Sequence, residues 1–144
     1  LDTSLYVSSA RVSAIIPVTS LFLADIKHMR EEKSLALTGS GNKSNLSNLQ
    51  LINGHGVEIW IRYVVVPGLT DDEENVVKMG EFVSSLECVS RIELLPYHAL
   101  GSHKWGLLGL KYDLADTLAP EAKALKKIQN QLEETSGKKV TIPG

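Results

Sequence analysis

The chain has 144 residues, a formal net charge of −2 and a pI near 6.1. Hydrophobic residues make up 43% and charged residues 22%, the composition of an ordinary globular domain rather than a disordered chain. The slightly acidic balance argues against a nucleic-acid partner, which calls for clustered basic residues. No apolar run approaches the length needed to cross a bilayer, so a membrane partner is not expected either.

The first residues, Leu1-Asp2-Thr3, read as a strand. Because the chain opens inside an element and without Met, it reads as a fragment or a processed product. Leu21 to Ile26 is a short apolar run with a buried-strand pattern, and a Gly-, Ser- and Asn-rich loop follows over Thr38 to Ser44. Ser44 to Asn53 reads as a helix with Leu46, Leu49 and Ile52 on one face and Gly54 just past its end. The strongest strand is Val57 to Val66, rich in Val, Ile, Trp and Tyr and stopped by Pro67-Gly68. Thr70 or Asp71 is expected to cap the next helix, with Glu73 or Glu74 completing a capping box, and Val76, Met79, Val83 and Leu86 form its apolar stripe.

Arg91 to Leu95 is a strand broken by Pro96, and a long loop runs from Tyr97 to about Leu118. Pro120 suits the first position of a helix that buries Ala122, Leu125, Ile128 and Leu132 and ends at Gly137. Val140 to Ile142 completes the chain as a short strand. The alternation of strands and helices implies right-handed βαβ units, a parallel sheet and an α/β fold, either a (β/α) barrel, whole or partial, or an open doubly wound sheet. No Gly-rich phosphate fingerprint follows a strand, which disfavours the dinucleotide-binding version. The single cysteine, Cys88, sits between Glu87 and Val89 without a neighbouring base or cation and reads as a buried structural thiol.

In parallel α/β folds, ligands lie at the carboxyl ends of the strands. Asp2, Asp25, Lys27 and His98 fall at or just beyond such ends, and Arg62 shares a strand face with Glu58, Trp60 and Val64 by period two. Each has a plain alternative. Asp25 and Lys27 could be a solvated ion pair, Arg62 a structural partner of Glu58, and His98 a loop histidine bonded to a carbonyl. His103-Lys104-Trp105 reads as a surface turn, and His28 and His55 carry no assigned role.

The succession Trp60-Ile61-Arg62-Tyr63-Val64-Val65-Val66-Pro67-Gly68, Thr70-Asp71-Asp72-Glu73, Ile92-Glu93-Leu94-Leu95-Pro96-Tyr97-His98, Leu100-Gly101 and His103-Lys104-Trp105 resembles the pyruvate formate-lyase activating enzymes. Leu1-Asp2-Thr3 and Asp25-Ile26-Lys27 fall in the matching order, and the resemblance spans essentially the whole chain. It implies the C-terminal portion of a single radical-SAM domain, a partial, splayed (β/α) barrel. In this family a [4Fe–4S] cluster and S-adenosylmethionine generate a 5′-deoxyadenosyl radical, which takes hydrogen from one glycine Cα of the partner, pyruvate formate-lyase or another glycyl-radical enzyme. A flavodoxin or ferredoxin is the implied electron donor and the cytoplasm the expected location, with an organelle compatible.

Carried over by position, Asp25, Ile26, Lys27 and His98 are implied contacts to S-adenosylmethionine. Arg62 is an implied lumen-facing neighbour, and Asp2, Thr3 and Asp25 are implied ligands of a monovalent cation. Lys27 would pair with the methionine carboxylate, and His98 would bond the ribose or stack near the adenosine. The family continues Leu-Asp-Thr with Asn-Gly, where this chain has Ser4-Leu5. The family's cluster-binding cysteines and glycine-rich segment lie upstream of the position of Leu1, so the chain alone is expected to be catalytically silent. Two other readings compete: a non-catalytic product that keeps partner binding, and an unrelated metabolic barrel for a phosphorylated small molecule.

Overall fold

A computed structural model describes residues 1–143. Five parallel strands stand side by side in chain order: β1 (Asp2–Thr3), β2 (Leu21–Asp25), β3 (Glu58–Val65), β4 (Val89–Pro96) and β5 (Lys139–Thr141). A doubly wound sheet requires a reversal of strand order and helices on both faces. Here the order never reverses, and the principal helices supply buried residues to one face only. This is the arc of a (β/α) barrel.

The period-two pattern of β3 decides which face is which. Ile59, Ile61, Tyr63 and Val65 are buried, while Trp60, Arg62 and Val64 are half-buried and Glu58 is exposed. In register with the buried set stand Phe22 and Ala24 of β2, Ile92 and Leu94 of β4, and Val140 of β5. Helices α1 (Ser9–Ile15), α3 (Lys43–Gly54), α4 (Glu73–Ser84) and α6 (Ala122–Ser136) pack on this face. Their buried residues include Val12 from α1, Leu49 and Ile52 from α3, Val76, Met79 and Val83 from α4, and Leu125, Ile128 and Leu132 from α6. The opposite face, with Leu23, Trp60 and Arg91 in one row and Asp25, Arg62 and Glu93 in the next, corresponds to a barrel lumen.

Two helices leave little trace in the periodicity. In α1 only Val12 is buried, and Ile16, four residues on, lies in a following 3₁₀ turn. α2 (Glu31–Thr38) buries only Ser34 and has no apolar stripe, so its signals are terminal: Glu31 and Glu32 at the start and Gly39 past the end with φ +73°. α5 (His103–Leu107) is a short helix where a surface turn was expected, and it lies inside the predicted long loop.

Several expected boundaries move for local reasons. Asp72, not Thr70 or Asp71, caps α4, accepting from the Asn75 amide at 3.1 Å. Thr70 Oγ1 instead accepts from Val66 N–H and donates to the Val64 carbonyl, and Asp71 accepts from Gly68 N–H, so both serve the turn before the helix. Gly54 is the last residue of α3, and it is Gly56 that takes the left-handed conformation, φ +75°. Pro96 is the last paired residue of β4, opposite Val65, rather than a breaker outside it. α6 starts at Ala122 with Glu121 as its N-cap, so Pro120 lies outside the helix and Ala122 is exposed, not buried.

Cys88 is half-buried rather than buried. Its amide donates to the Asn53 side chain at 2.8 Å and its thiol to the Asn53 carbonyl at 3.4 Å.

Candidate functional site

The carboxyl ends of β1, β2 and β3 bring Asp2, Asp25, Lys27 and Arg62 together. Asp25 and Arg62 are partners in the parallel register, which puts both on the lumen face. Arg62 Nη1 donates to Asp2 Oδ2 at 2.5 Å, across β2. This rules out the plain alternative of an Arg62–Glu58 pair. Four residues along a strand separate those side chains by roughly 13 Å, so Glu58 lies at the other end of β3. There it accepts from Ser90 at 2.7 Å and from Trp60 Nε1 at 2.9 Å, and these bonds hold its carboxyl below the usual carboxylate range. Arg91 closes that end of the lumen face, its guanidinium 3.5 Å from the centre of the Trp60 ring.

Lys27 Nζ stands 3.2 Å from Asp25 Oδ2, and its side chain is 39% exposed. The solvated ion pair named as the plain alternative is therefore present. Lys27 lines two cavities, and Asp25 lines the smaller of them. The smaller, of about 190 Å³, is lined by residues that include Asp25, Lys27, Ser34, Thr38, Asn42 and Asn45. A larger one of about 660 Å³ is lined by Lys27, Val64, Leu69, Tyr97, Trp105 and Tyr112, within the range of small-molecule sites. In the larger one Tyr97 and Tyr112 join hydroxyls at 2.7 Å. The hydrogen bond to Tyr112, with burial, pushes the Tyr97 phenol up to about 12. Trp105 tilts over Tyr112 with ring centres 5.6 Å apart.

Ile26 is buried, and its N–H donates to the Arg62 carbonyl at 3.1 Å, continuing the β2 ladder. Its side chain belongs to the core, so only its backbone can border a ligand. His98 lies on the exposed stretch after β4. Among the described residues it has no hydrogen-bond or ion-pair partner, and it lines neither cavity. The structure therefore groups Asp2, Asp25, Lys27 and Arg62 directly and leaves His98 at the rim.

The turn after β1 carries the departure seen in the sequence. Leu5 has φ +54°, in the left-handed region that favours glycine. Thr3 Oγ1 accepts from Leu5 N–H at 3.0 Å, and Asn48 donates to the Leu5 carbonyl at 3.0 Å. Asn45 ties the same turn to β2, donating to the carbonyls of Ser4 at 2.7 Å and Asp25 at 2.9 Å. The turn is thus fixed from both sides, while the Leu5 side chain is buried in the core.

The sequence reading passed over these asparagines. Asn42, Asn45 and Asn48 recur every third residue, and each is buried with its amide satisfied by backbone carbonyls. It also assigned nothing to His28, whose side chain is fully buried.

The donors and acceptors around Lys27 suit a zwitterionic ligand such as S-adenosylmethionine: an ammonium with exposed surface, a half-buried carboxylate and two flanking cavities. For a cluster there is no such fit. Among the described residues no group of three or more His, Cys, Asp or Glu is placed to hold a metal ion, and Cys88 precedes β4 at the amino end of the sheet. Of the three expected cation ligands, the Asp2 and Asp25 carboxylates are each paired with a basic side chain, and Thr3 Oγ1 is bonded to Leu5 N–H. No described helix is long and apolar enough to cross a membrane.

Comparison with known proteins places this geometry. No protein-family model matches the chain. It is 44% identical over 108 residues to the pyruvate formate-lyase-activating enzyme of Staphylococcus aureus, a match covering 75% of this chain and 43% of that protein. The chain thus spans less than half the length of the curated relatives it matches. Among solved structures, a domain of pyruvate-formate lyase-activating enzyme from Bacteroides vulgatus superposes with a TM-score of 0.81 at 24% identity, covering 99% of this chain and 79% of that one. A radical SAM methyltransferase from Sphaerobacter thermophilus gives 0.75 at 13% identity, covering 99% and 39%. SuiB of Streptococcus suis, solved with S-adenosylmethionine, gives 0.70 at 13% identity, covering 99% and 32%. The structural likenesses establish the partial-barrel fold of radical-SAM enzymes. The sequence match, 44% identity over 75% of the chain, shows that the chain belongs to the family of pyruvate formate-lyase-activating enzymes.

Proposed function

We propose that this chain supplies part of the S-adenosylmethionine site of a radical-SAM activating enzyme that acts on a glycine of pyruvate formate-lyase. The observation that carries the reading is the position of Lys27. Its ammonium lies at the carboxyl end of a parallel strand, beside Asp25, at the junction of the two cavities.

In this reading Lys27 pairs with the methionyl carboxylate, and Asp25 orients the ammonium. The backbone of Ile26 borders the ligand. His98, free on its loop, moves in to bond the ribose or cover the adenosine. Arg62, held by Asp2, keeps positive charge on the lumen face without reaching the ligand directly. Asp2, Thr3 and Asp25 take a monovalent cation only if Asp2 and Asp25 exchange their present partners for it. S-adenosylmethionine, when bound with a [4Fe–4S] cluster, supplies the hydrogen-abstracting chemistry of the family. A flavodoxin or ferredoxin as electron donor, pyruvate formate-lyase as target and a cytoplasmic site of action belong to the same proposal.

The test is calorimetric titration of the chain with S-adenosylmethionine. Removing one charge-assisted hydrogen bond costs roughly 1.5–3 kcal/mol, so Lys27→Ala and His98→Ala should each weaken binding about tenfold or more. Affinity unchanged in both variants would remove the roles given to these residues.

A further inference from the structure

The segment joining β2 to α2 carries Lys27. Beyond Ile26, whose N–H donates to the Arg62 carbonyl, the His28 carbonyl, both backbone groups of Met29 and the Arg30 N–H are held by side chains. Asn75, in the first turn of α4, accepts from Met29 N–H at 2.8 Å. Asn42 donates to the carbonyls of His28 at 3.0 Å and Met29 at 2.7 Å. The fourth hold is His28 itself. Its Nδ1 lies 3.1 Å from Arg30 N, which has only a proton to give, so Nδ1 is the acceptor. In the neutral ring the proton then sits on Nε2, 3.3 Å from Asp72 Oδ2. The other oxygen of Asp72 caps α4. One carboxylate therefore fastens the helix start and, through the imidazole, the residue next to Lys27. The His28 ring is fully buried while the Asp72 carboxylate keeps 41% exposure, so water can reach this contact from the carboxylate side only.

We propose that His28 and Asp72 are positioning residues for Lys27: they lock the turn after β2 to the N-terminus of α4 and so fix where the Lys27 ammonium enters the site. This inference rests on the reading of Lys27 as an S-adenosylmethionine contact, and it adds residues that touch neither cavity. The imidazole acts by geometry, as a neutral hydrogen-bond bridge between two chain segments 44 residues apart.

Three substitutions separate this role from mere stability. His28→Leu fills the space but breaks both bonds. His28→Gln keeps an N–H donor for Asp72. Asp72→Asn keeps an oxygen for the helix cap yet turns an amide N–H₂ toward Nε2–H, donor against donor. Hydrogen exchange on the 144-residue chain reads the lock without any ligand. The Met29 and Arg30 amides should exchange at least about tenfold faster in His28→Leu and Asp72→Asn, with protection largely restored in His28→Gln, while the Val76 and Met79 amides stay protected.

Titration with S-adenosylmethionine then reads the consequence. His28→Leu and Asp72→Asn should each weaken binding roughly five- to tenfold, and either should add less than about twofold once Lys27→Ala is present, because residues acting through one group are not additive. If the amides keep their protection in both variants, there is no lock and the proposal falls. If the lock opens but affinity holds while Lys27→Ala weakens it, the turn does not position Lys27 and the proposal falls alone. If neither the wild-type chain nor any variant binds S-adenosylmethionine, the functional reading falls and takes the positioning role with it. The exchange data then retain only the mechanical link.

Discussion

Gly80 offers the sharpest perturbation of the packing that supports the site. It is buried in α4, where α4 and α6 touch. A Cβ built at Gly80 would stand 1.8 Å from Thr135 Oγ1, 2.7 Å from Thr135 Cβ and 3.5 Å from Ser136 N. The hydroxyl cannot simply swing aside, because it donates to the Gln131 carbonyl at 2.8 Å. Rotating it forfeits a hydrogen bond worth about 1 kcal/mol, and the Cβ–Cβ approach still forces the helices apart. Overpacking of this kind costs about 1–3 kcal/mol, against about 1 kcal/mol of helix propensity gained by Ala over Gly. With the forfeited hydrogen bond added, Gly80→Ala should therefore destabilise the chain by about 1–3 kcal/mol in urea unfolding. In a Thr135→Gly background the clash disappears, and the same change should stabilise by up to about 1 kcal/mol. Gly80→Ala at or above wild-type stability with Thr135 in place would refute the close helix contact.

Three further outcomes follow from the same structure. Leu5 combines a left-handed backbone with a buried side chain, so Leu5→Ala loses core contacts without relief, whereas Leu5→Gly recovers about 1–2 kcal/mol of backbone strain. Leu5→Gly should be the more stable of the two by about 1 kcal/mol in denaturant melts, the reverse of the usual order. Burial lowers the pKa of His28 from its ordinary value near 6.5, outweighing the attraction of Asp72, while Arg30 and Lys33 push the same way as burial. The unfolded chain then binds the proton more readily, so stability present above pH 6.5 should fall as the solution is acidified through and below that value, a slope that His28→Gln should flatten. Tyr63 donates its buried hydroxyl to the Thr70 carbonyl and accepts from Asn75 Nδ2 at 2.5 Å. Tyr63→Phe should cost about 1–3 kcal/mol in thermal or urea unfolding, because the Asn75 amide loses a buried partner.

The legible parts of the fold were those in which burial and periodicity coincide. β3 alternates without error and α4 carries a full apolar stripe, so both were readable from residue type alone. α2 was not, because it buries a serine rather than a stripe and is held at its ends. Asp72 was missed as the cap because three acidic or hydroxyl residues stand in a row before α4, and only the turn geometry shows that Thr70 and Asp71 are bonded elsewhere. At the site, Asp25 and Lys27 could be placed because a strand's carboxyl end is set by where its apolar run stops. The pairing of Arg62 with Asp2 was not readable. It spans 60 residues of sequence and depends on β1 lying next to β2 in one register. His28 was hidden for a related reason: its partner lies 44 residues away, at the start of a helix that the folded sheet brings beside it.

On the proposed function, a zwitterionic ligand of the S-adenosylmethionine type binds at the carboxyl ends of β2 and β3 through Lys27. Titrating the isotopically labelled chain with S-adenosylmethionine while following backbone and side-chain resonances tests it most directly. Saturable shifts are expected around Asp25, Ile26, Lys27, Arg62 and His98, lost in Lys27→Ala, with Glu58, Cys88 and Ser90 at the opposite end of the sheet unmoved. Shifts confined to that opposite end, or unchanged binding in Lys27→Ala, would contradict it.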